Sequence, residues 1–398
     1  MKIFSKLTKK EPLFHIVKRS DIKPYKAWII RIIAGVSAFL VCGIVAVLLS
    51  DCSFGQFYKE LFKGVFGTER RIWNMLQNTM MLLIVALAVT PAFKMRFWNI
   101  GAEGQVLIGA LCSAACAIMI GDAVNESVLI LIMFASSVVG GIIWAVIPAI
   151  FKAKWNTNET LFTLMMNYIA IHLVKYCINL WAPNGSGTVG IINNGHFPKI
   201  GGQAYLLNII LVIICTAIVF VYMRYSKQGY EISVVGESEN TAKYIGINVK
   251  KVIIRTMVFS GIICGLAGLL LVGGTHHTIN ADLVEGRGFT AILVSWLAKF
   301  NPLAMIGTSF LVIFFQQGSA QVATSASVGM TSAFSDIMVG IFFFFIIGCE
   351  FFINYNVVSR LFKKKNKSIA KNDDENKEKE SLKEEITEEN DVNGEVNA

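Results

Sequence analysis

The feature that most constrains this chain is its series of apolar segments, each followed by a polar connection. A helix that crosses a bilayer needs about 20 mainly apolar residues. The segments lie at residues 29–49, 75–93, 104–120, 128–151, 161–181, 205–225, 253–274, 289–297, 303–317 and 334–353. We therefore predict an all-α polytopic membrane protein with about ten transmembrane helices. The eighth and ninth segments are short, so we expect tilted or broken helices there, or half-helices that face the interior.

The composition excludes an ordinary soluble domain. Hydrophobic residues make up 54% of the chain and charged residues 16%, whereas a soluble domain averages about 25% charged residues. The net charge of +9 comes largely from basic residues that border apolar segments, which favours membrane orientation over nucleic-acid binding. The first apolar segment follows a long polar leader and exceeds the usual signal core, so we expect no cleavable signal peptide.

Basic residues also predict the orientation, because lysine and arginine are enriched in cytoplasmic loops. An even number of crossings, with both termini in the cytoplasm, places most basic connections inside. The residues concerned are Lys94, Arg96, Lys152, Lys154, Lys299 and Arg360. The outer connection at residues 51–74 is the exception, since it carries Lys59, Lys63, Arg70 and Arg71. Its apolar residues recur at helical spacing, which predicts an amphipathic helix at the outer surface.

These patterns divide the chain into three parts. We predict a basic cytoplasmic leader at residues 1–26, a transmembrane domain at 27–355 and a charged cytoplasmic tail at 356–398. The tail has too little apolar content to bury a core, so we expect it to be disordered. Within the membrane domain, Gly261, Gly265 and Gly268 share one helix face and predict close contact with another helix. Gly286 and Gly288 flank Arg287 and predict a break before a half-helix.

A polar island interrupts the apolar pattern at residues 229–246, between the sixth and seventh segments. Basic residues lie on both sides of it, which predicts a cytoplasmic position. Ser238 is a suitable N-cap for a short helix at residues 239–244 that ends at Gly246. A compact cytoplasmic helix of this kind suits the docking of a soluble partner. The alternative is an ordinary connecting loop.

Two groups of polar residues fall within or beside apolar segments, where burial of polar groups is costly. The first comprises Asn99, Glu103 and Gln105, and we expect Asn99 and Glu103 to share a helix face. This first group either lines the transport pathway or caps a helix at the membrane interface. The second comprises Glu159, Thr163 and Asn167, which form one stripe at i, i+4 and i+8. We predict that both groups line the pathway of a neutral, hydrogen-bonding solute.

Several catalytic signatures are absent from the sequence. No GxxxxGK[ST] occurs to bind nucleotide phosphates, and neither GxSxG nor HExxH is present. The eight cysteines lie mostly within apolar segments, where cysteine packs as a small hydrophobe. We therefore predict a transport protein that is not itself an enzyme, with no catalytic residues and no metal site. If ATP drives it, another subunit binds the nucleotide.

Three segments together resemble a known family. They are residues 97–105 (FWNIGAEGQ), 158–169 (NETLFTLMMNYI) and the island at 229–246 (GYEISVVGESENTAKYIG). In this order they are similar to ABC importer permeases of the ribose and branched-chain amino acid class, closest to nucleoside (simple-sugar) permeases that work with basic-membrane-protein-type lipoproteins. The resemblance covers roughly residues 76–355.

This resemblance implies import of nucleosides or related sugars across the cell membrane of a bacterium. The implied partners are an ATP-binding ABC subunit, a second permease that completes a heterodimer, an extracellular substrate-binding lipoprotein and membrane lipid, with no nucleic acid polymer. ATP and magnesium would be bound by the ATPase, so no cofactor is expected in this chain. The residues expected to couple to the ATPase are Gly229, Tyr230, Glu231, Gly236, Glu237, Ser238, Ala242 and Gly246.

One alternative remains from another functional class, a secondary transporter driven by an ion gradient. Such a protein needs acidic residues in the membrane that titrate or bind sodium. The candidates are Glu103, Glu159 and Glu350, and all lie near the ends of predicted segments.

Overall fold

The structure, a computed structural model, describes residues 14–18, 24–49, 52–182, 185–325 and 333–359. These residues are mainly helical, with two short strands, β1 (Phe14–Lys18) and β2 (Tyr355–Ser359). The helices are α1 (Pro24–Leu49), α2 (Phe54–Phe66), α3 (Glu69–Lys94), α4 (Ala102–Ile120), α5 (Glu126–Trp155), α6 (Glu159–Trp181), α7 (Leu206–Tyr225), α8 (Lys227–Glu237), α9 (Glu239–Tyr244), α10 (Val249–Leu271), α11 (Arg287–Leu297), α12 (Pro302–Thr324) and α13 (Ala333–Asn354). A π-helical turn (Val272–His276) extends α10.

Within the described residues, nine helices are long and apolar enough to cross a membrane. They are α1, α3 to α7, α10, α12 and α13, and they confirm the polytopic helical class. The eighth predicted segment is α11, whose 11 residues are too few for a full span. The ninth is longer than predicted: α12 has 23 residues and continues past Gly318. Within its polar end, the Ser319 hydroxyl is satisfied by donating to the Phe315 carbonyl (2.6 Å).

The chain divides into two compact units, of which the larger is Gly43–Gly340. In this unit α3 and α10 are the central helices, and most of their side chains are buried. α10 packs against α3, α4 and α5. The segments at the two ends of α10 are therefore connected through one packed core.

Glycines bring α4, α5 and α10 into close contact. A Cβ at Gly265 of α10 would overlap the Ser137 carbonyl of α5, and a Cβ at Gly109 of α4 would lie 2.7 Å from the Gly265 Cα. Gly261 and Gly268 approach α5 and α4 in the same way. The predicted glycine ridge is confirmed. Because lipid is as apolar as the side chains it competes with, such close packing is a main source of helix association in membranes.

The connection between the first two spans contains the predicted amphipathic helix, α2. Ser53 and Gln56 form a capping box at its start, with the Ser53 N–H donating to the Gln56 side chain (2.9 Å). Phe57, Leu61 and Val65 form its buried face, and α2 packs against α12. This helix begins with a defined cap, and its apolar side is covered only in part, since Phe54, Phe62 and Phe66 remain exposed.

The smaller unit comprises the described residues up to Cys42 and from Ile341 onward. β1 and β2 pair antiparallel, so strand residues occur inside both the predicted leader and the predicted tail. Arg31 and Glu350 form an ion pair (2.8 Å) beside the buried side chains of Cys349 and Ile353. The rest of the leader up to residue 13 and the tail from residue 360 lie outside the described residues.

The glycine contact leads to a prediction about stability. Gly265→Val should lower the midpoint of thermal unfolding in detergent and the yield of monodisperse protein, because the added side chain overlaps the α5 backbone. Overpacking of this kind costs about 1–3 kcal/mol or more. The control is Gly307→Val in α12, where no atom lies within 4 Å of an added Cβ. Equal midpoints for the two variants would contradict the role assigned to this contact.

Candidate functional site

The predicted coupling region, residues 229–246, begins within a helix that the sequence did not indicate. α8 runs from Lys227 to Glu237, and the Ser226 hydroxyl caps its start by accepting a hydrogen bond from the Gly229 N–H (3.0 Å). Gly229, Glu231 and Gly236 are therefore helical residues. The signal that could have revealed α8 is this serine, which directly follows the sixth apolar segment.

Three contacts hold α8 on the bundle. Gly236 lies against the Lys94 carbonyl at the end of α3, where a Cβ would overlap the oxygen. Gly229 packs in the same manner on the backbone at the end of α7. Glu231 accepts a hydrogen bond from the Arg255 guanidinium of α10 (2.8 Å). These predicted coupling residues thus join α8 to α3, α7 and α10.

α9 is the short helix that was predicted after Ser238. The Ser238 hydroxyl accepts from the Thr241 N–H (3.2 Å), which confirms the predicted N-cap. Ala242 is buried, and Gly246 lies just after the helix with a left-handed φ of 85°. Whether this helix contacts an ATPase remains a prediction.

The outer surface of α8 and α9 is unusually apolar for a polar connection. Tyr244 is 93% exposed, Tyr230 is 62% exposed and Ile245 is 51% exposed. Glu237 and Glu239 are exposed beside them. A group of exposed aromatic and aliphatic side chains with acidic neighbours has the character of a protein-docking surface.

The first intramembrane polar group surrounds a break in the helical backbone between α3 and α4. Residues 97–101 are irregular, so their backbone groups lack helical partners. Thr163 of α6 accepts from the Ile100 N–H (3.2 Å). Asn167 of α6 donates to the Ile100 carbonyl (2.9 Å) and accepts from the Gly104 N–H (2.9 Å). Thr163 and Asn167, two of the three residues that the sequence predicts to share one face of this helix, therefore hold the start of α4.

Asn99 lies inside this break and is fully buried. Its side-chain oxygen accepts from the Gly101 N–H (3.1 Å) and from the Gln105 side chain (3.1 Å). The expectation that Asn99 and Glu103 share a helix face is wrong, because α4 begins only at Ala102. The partners of Asn99 are Gln105 and, on α10, Ser260 (3.4 Å).

Glu103 faces a different element, the start of α11. Its carboxylate accepts hydrogen bonds from the Gly286 N–H (2.9 Å) and the Gly288 N–H (2.7 Å). A carboxylate at a helix N-terminus satisfies free N–H groups and stabilises the helix dipole. Gly286 has a left-handed φ of 70°, which confirms the predicted break before a half-helix. Arg287 is buried and pairs with Glu285 (2.8 Å) and Asn78 (3.2 Å).

The structure thus brings four of the predicted pathway residues together: Asn99, Gln105, Thr163 and Asn167. Glu103 lies against α11, and Glu159 pairs with Lys152 across the turn between α5 and α6 (2.9 Å). All six side chains have partners within the chain. Their assignment to a solute pathway stays a prediction. The geometry directly supports a structural role, because each side chain bonds to another group of the chain.

Sequence reasoning missed a second buried polar group near the opposite ends of α3 and α10. Gln77 of α3 donates to the Thr275 hydroxyl (2.6 Å), which also accepts from Asn208 of α7 (3.4 Å). Gln77 and Asn208 are fully buried. Isolated amide residues within apolar segments were the available signal, since burial without a partner is costly.

The loop at residues 185–204 packs over this end of the bundle. Its backbone N–H groups at Ile192 and Phe197 donate to the carbonyls of His277 (2.8 Å) and Gly273 (3.0 Å). The rings of His196 and His277 stack at 4.0 Å. Burial lowers the pKa of His277, and His196 lowers it further, which favours the neutral imidazole at neutral pH. Among the described residues, no group of three or more metal-ligating side chains is arranged to hold an ion.

Comparisons with known proteins identify one matching family. Residues 71–347 match the model described as the branched-chain amino acid transport system / permease component. The matched segment runs from the start of α3 into α13. It therefore includes α8, α9 and both groups of buried polar residues.

Several curated relatives share most of this chain. A guanosine ABC transporter permease protein of Bacillus subtilis is 28% identical and covers 80% of this chain and 91% of its own length. A glucose ABC transporter permease protein of Haloferax volcanii is 26% identical over 85% of this chain and 92% of its own. A nucleoside ABC transporter permease protein of Lactococcus lactis is 27% identical over 66% and 76%.

The contact between Glu103 and α11 leads to a prediction. Glu103→Ala should destabilise the protein by about 1–3 kcal/mol for each buried N–H left unpaired, since both the Gly286 and Gly288 amides lose their acceptor. Glu103→Gln retains one acceptor oxygen and should fall between Ala and the unsubstituted protein. Thermal unfolding in detergent measures the difference.

The matched control for this series is Glu69→Gln, on an exposed residue at the start of α3. It loses one exposed charge at a helix start, about 0.3–1 kcal/mol, so it should change the unfolding midpoint less than Glu103→Ala does. A midpoint for Glu103→Ala equal to that of this control would contradict the capping role.

Proposed function

The chain belongs to the family of permease components of the branched-chain amino acid transport system, and from this premise we propose that it moves nucleosides into the cell. It does so as the membrane-spanning permease subunit of an ATP-driven ABC importer. The observation that carries the solute class is the pair of relatives named for guanosine and nucleoside transport, each matched along most of its length. A relative named for glucose makes sugars the second candidate class.

The structure supports an external energy source through the surface on α8 and α9. An importer permease must present a docking surface to its ATPase and must pass movement from that surface to the spans. Tyr244 at the end of α9 and Ile245 directly after it are exposed. Glu231 and Gly236 of α8 contact α10 and α3. We assign the exposed residues to ATPase contact and the buried ones to transmission.

The contacts of the acidic residues argue against the ion-driven alternative. Glu103 accepts two backbone hydrogen bonds, Glu159 pairs with Lys152 and Glu350 pairs with Arg31. Each carboxylate is therefore engaged in a structural contact, which favours a structural role over a coupling-ion site. The ABC importer is the better supported function.

The proposal extends to partners and location. An ATP-binding ABC subunit binds ATP and magnesium, a second and different permease completes the membrane part, and an extracellular lipoprotein delivers the solute. The assembly lies in the cell membrane of a bacterium, with the surface on α8 and α9 in the cytoplasm. The basic residues beside α8 and α9, Arg224, Lys227, Lys250 and Lys251, support this orientation.

Uptake in a host strain that lacks its own nucleoside importers tests the solute class. Cells that carry this chain with its partner subunits should accumulate labelled guanosine or uridine, and excess unlabelled nucleoside should abolish the signal. Excess glucose should leave it unchanged. Uptake of labelled glucose that nucleosides do not inhibit would replace nucleosides by sugars as the solute class.

Substitutions on α9 test the coupling surface. Tyr244→Ala combined with Ile245→Ala should lower nucleoside uptake about tenfold, as expected when apolar contacts worth about 1.4 kcal/mol are removed from an interface. Membrane expression should be unchanged because both side chains are exposed. The ATPase should co-purify less well with this variant.

The control is Ile191→Ala, on a residue that is 78% exposed in the loop that packs over the opposite end of the bundle. It should leave both uptake and ATPase co-purification unchanged. Normal ATPase retention and normal uptake in the α9 variant would identify α9 as an ordinary connection.

A further inference from the structure

From Tyr168 onward, one face of α6 is polar although the rest of the chain does not cover it. Tyr168, His172, Lys175 and Asn179 are all exposed on this membrane-spanning helix. With 3.6 residues per turn, their positions fall within an arc of about 60° around the helix. We call these four residues the α6 stripe.

The neighbouring sector of α6 has a different character. Ile169, Leu173 and Leu180 are also exposed, and all are apolar. A third sector, with Thr163 and Asn167, is buried against the start of α4. Toward the start of α6, Leu161 lies on the same face as the stripe and Met165 lies beside it, and both are exposed and apolar. α6 therefore has one face toward protein, one face suited to lipid and, from Tyr168 to Asn179, a polar strip that is suited to neither.

Other outer helices of the bundle show what a lipid-facing surface looks like in this protein. The exposed residues in the middle of α7 are Ile210, Ile213, Ile214, Ala217, Ile218 and Val221. Those in the middle of α5 are Leu131, Phe134, Ala135, Val139 and Ile143. A histidine and a lysine in the corresponding part of α6 would be costly against lipid. The α6 stripe therefore faces water or protein.

A cavity of about 440 Å³ adjoins the stripe at the loop end of α6. Lys175 and Asn179 line one side of it. The segments Gly185–Thr188 and Asn280–Asp282 line the other, and Thr188 and Asn280 pair as an isolated bridge. This volume is within the range of small-molecule sites, about 300–1,000 Å³.

The polar groups of this cavity are suited to a solute with hydroxyl groups. The Asn280 side-chain oxygen is buried and has no hydrogen-bond partner among the described residues. Asp282 adds a second acceptor, and Lys175 and Asn179 supply donors. Further along the stripe, the rings of His172 and Tyr168 offer flat surfaces on which an aromatic base can stack.

From these observations we propose that the α6 stripe and its cavity form one wall of the solute path. The cavity receives the sugar hydroxyls of a nucleoside, and the stripe guides the base inward. This inference rests on the proposed function for its solute, while the water access of the stripe is independent of that function.

Thiol labelling of the assembled transporter in membrane vesicles tests the wall directly. Each stripe residue is replaced singly by cysteine, with Ile169→Cys, Leu173→Cys and Leu180→Cys as controls on the same helix. A charged maleimide that does not cross membranes is added, and labelling is scored above that of the unsubstituted protein, which contains native cysteines. The stripe positions should react at least tenfold faster than the three controls.

Solute protection completes the test. During turnover with ATP and the lipoprotein, millimolar guanosine should slow labelling of the stripe at least threefold and leave the controls unchanged. Labelling equal to that of the controls would overturn the proposal. Labelling that guanosine does not change would also overturn it. Stripe cysteines that do not react with the maleimide but cross-link to the second permease would overturn it as well.

Guanosine uptake by the unsubstituted transporter, measured in the same vesicles, separates this inference from the proposed function. Guanosine uptake without protection of the stripe cysteines refutes the assignment of the α6 stripe to the solute path and leaves nucleoside import in place. Absence of uptake refutes nucleoside import, whereas stripe labelling without solute still reports whether this face of α6 is open to water. Lys175→Gln should lower guanosine uptake more than Leu173→Gln, because only Lys175 lines the cavity.

Discussion

Backbone groups that leave a regular helix inside a membrane have no water to bind, and this constraint organises the structure. The chain interrupts its helices before α4 and again before α11. Side chains of neighbouring helices supply the missing partners: Thr163 and Asn167 at the first break, and Glu103 at the second. Because Glu103 lies on the helix that Thr163 and Asn167 support, the two breaks are linked. α6, α4 and α11 form one hydrogen-bonded series beside the central helices α3 and α10.

A second set of contacts joins α8 to the central helices. α8 contacts the end of α3 through Gly236 and the start of α10 through Glu231 and Arg255. α10 in turn packs closely on α4 and α5 at its glycines. α8 is therefore joined, through α3 and α10, to the helices that carry both breaks. The polar side chains that sequence analysis assigned to a pathway hold these helices together. The exposed polar surface of α6 lies on a different face of that helix from its buried polar side chains.

Local signals in the sequence predicted much of this fold. Ser238 as an N-cap, the glycine ridge on α10, the amphipathic α2 and the break at Gly286 all depend on residues close together in the chain. Contacts between distant residues were not predictable in this way. Asn99 pairs with Gln105 and with Ser260 of α10 because it lies in the irregular segment before α4. The polar face of α6 was missed because exposure depends on which sides of the helix its neighbours cover.

The central claim is that this chain is the permease of an ATP-driven importer. The most direct test is to measure which energy source drives solute uptake. The complex of this chain with its ATPase and partner permease is reconstituted in proteoliposomes with the lipoprotein on the solute side. The account predicts nucleoside uptake only when ATP is present on the ATPase side, with no effect of ionophores that collapse proton and sodium gradients. Uptake without ATP that an imposed ion gradient drives, and that ionophores abolish, would contradict it.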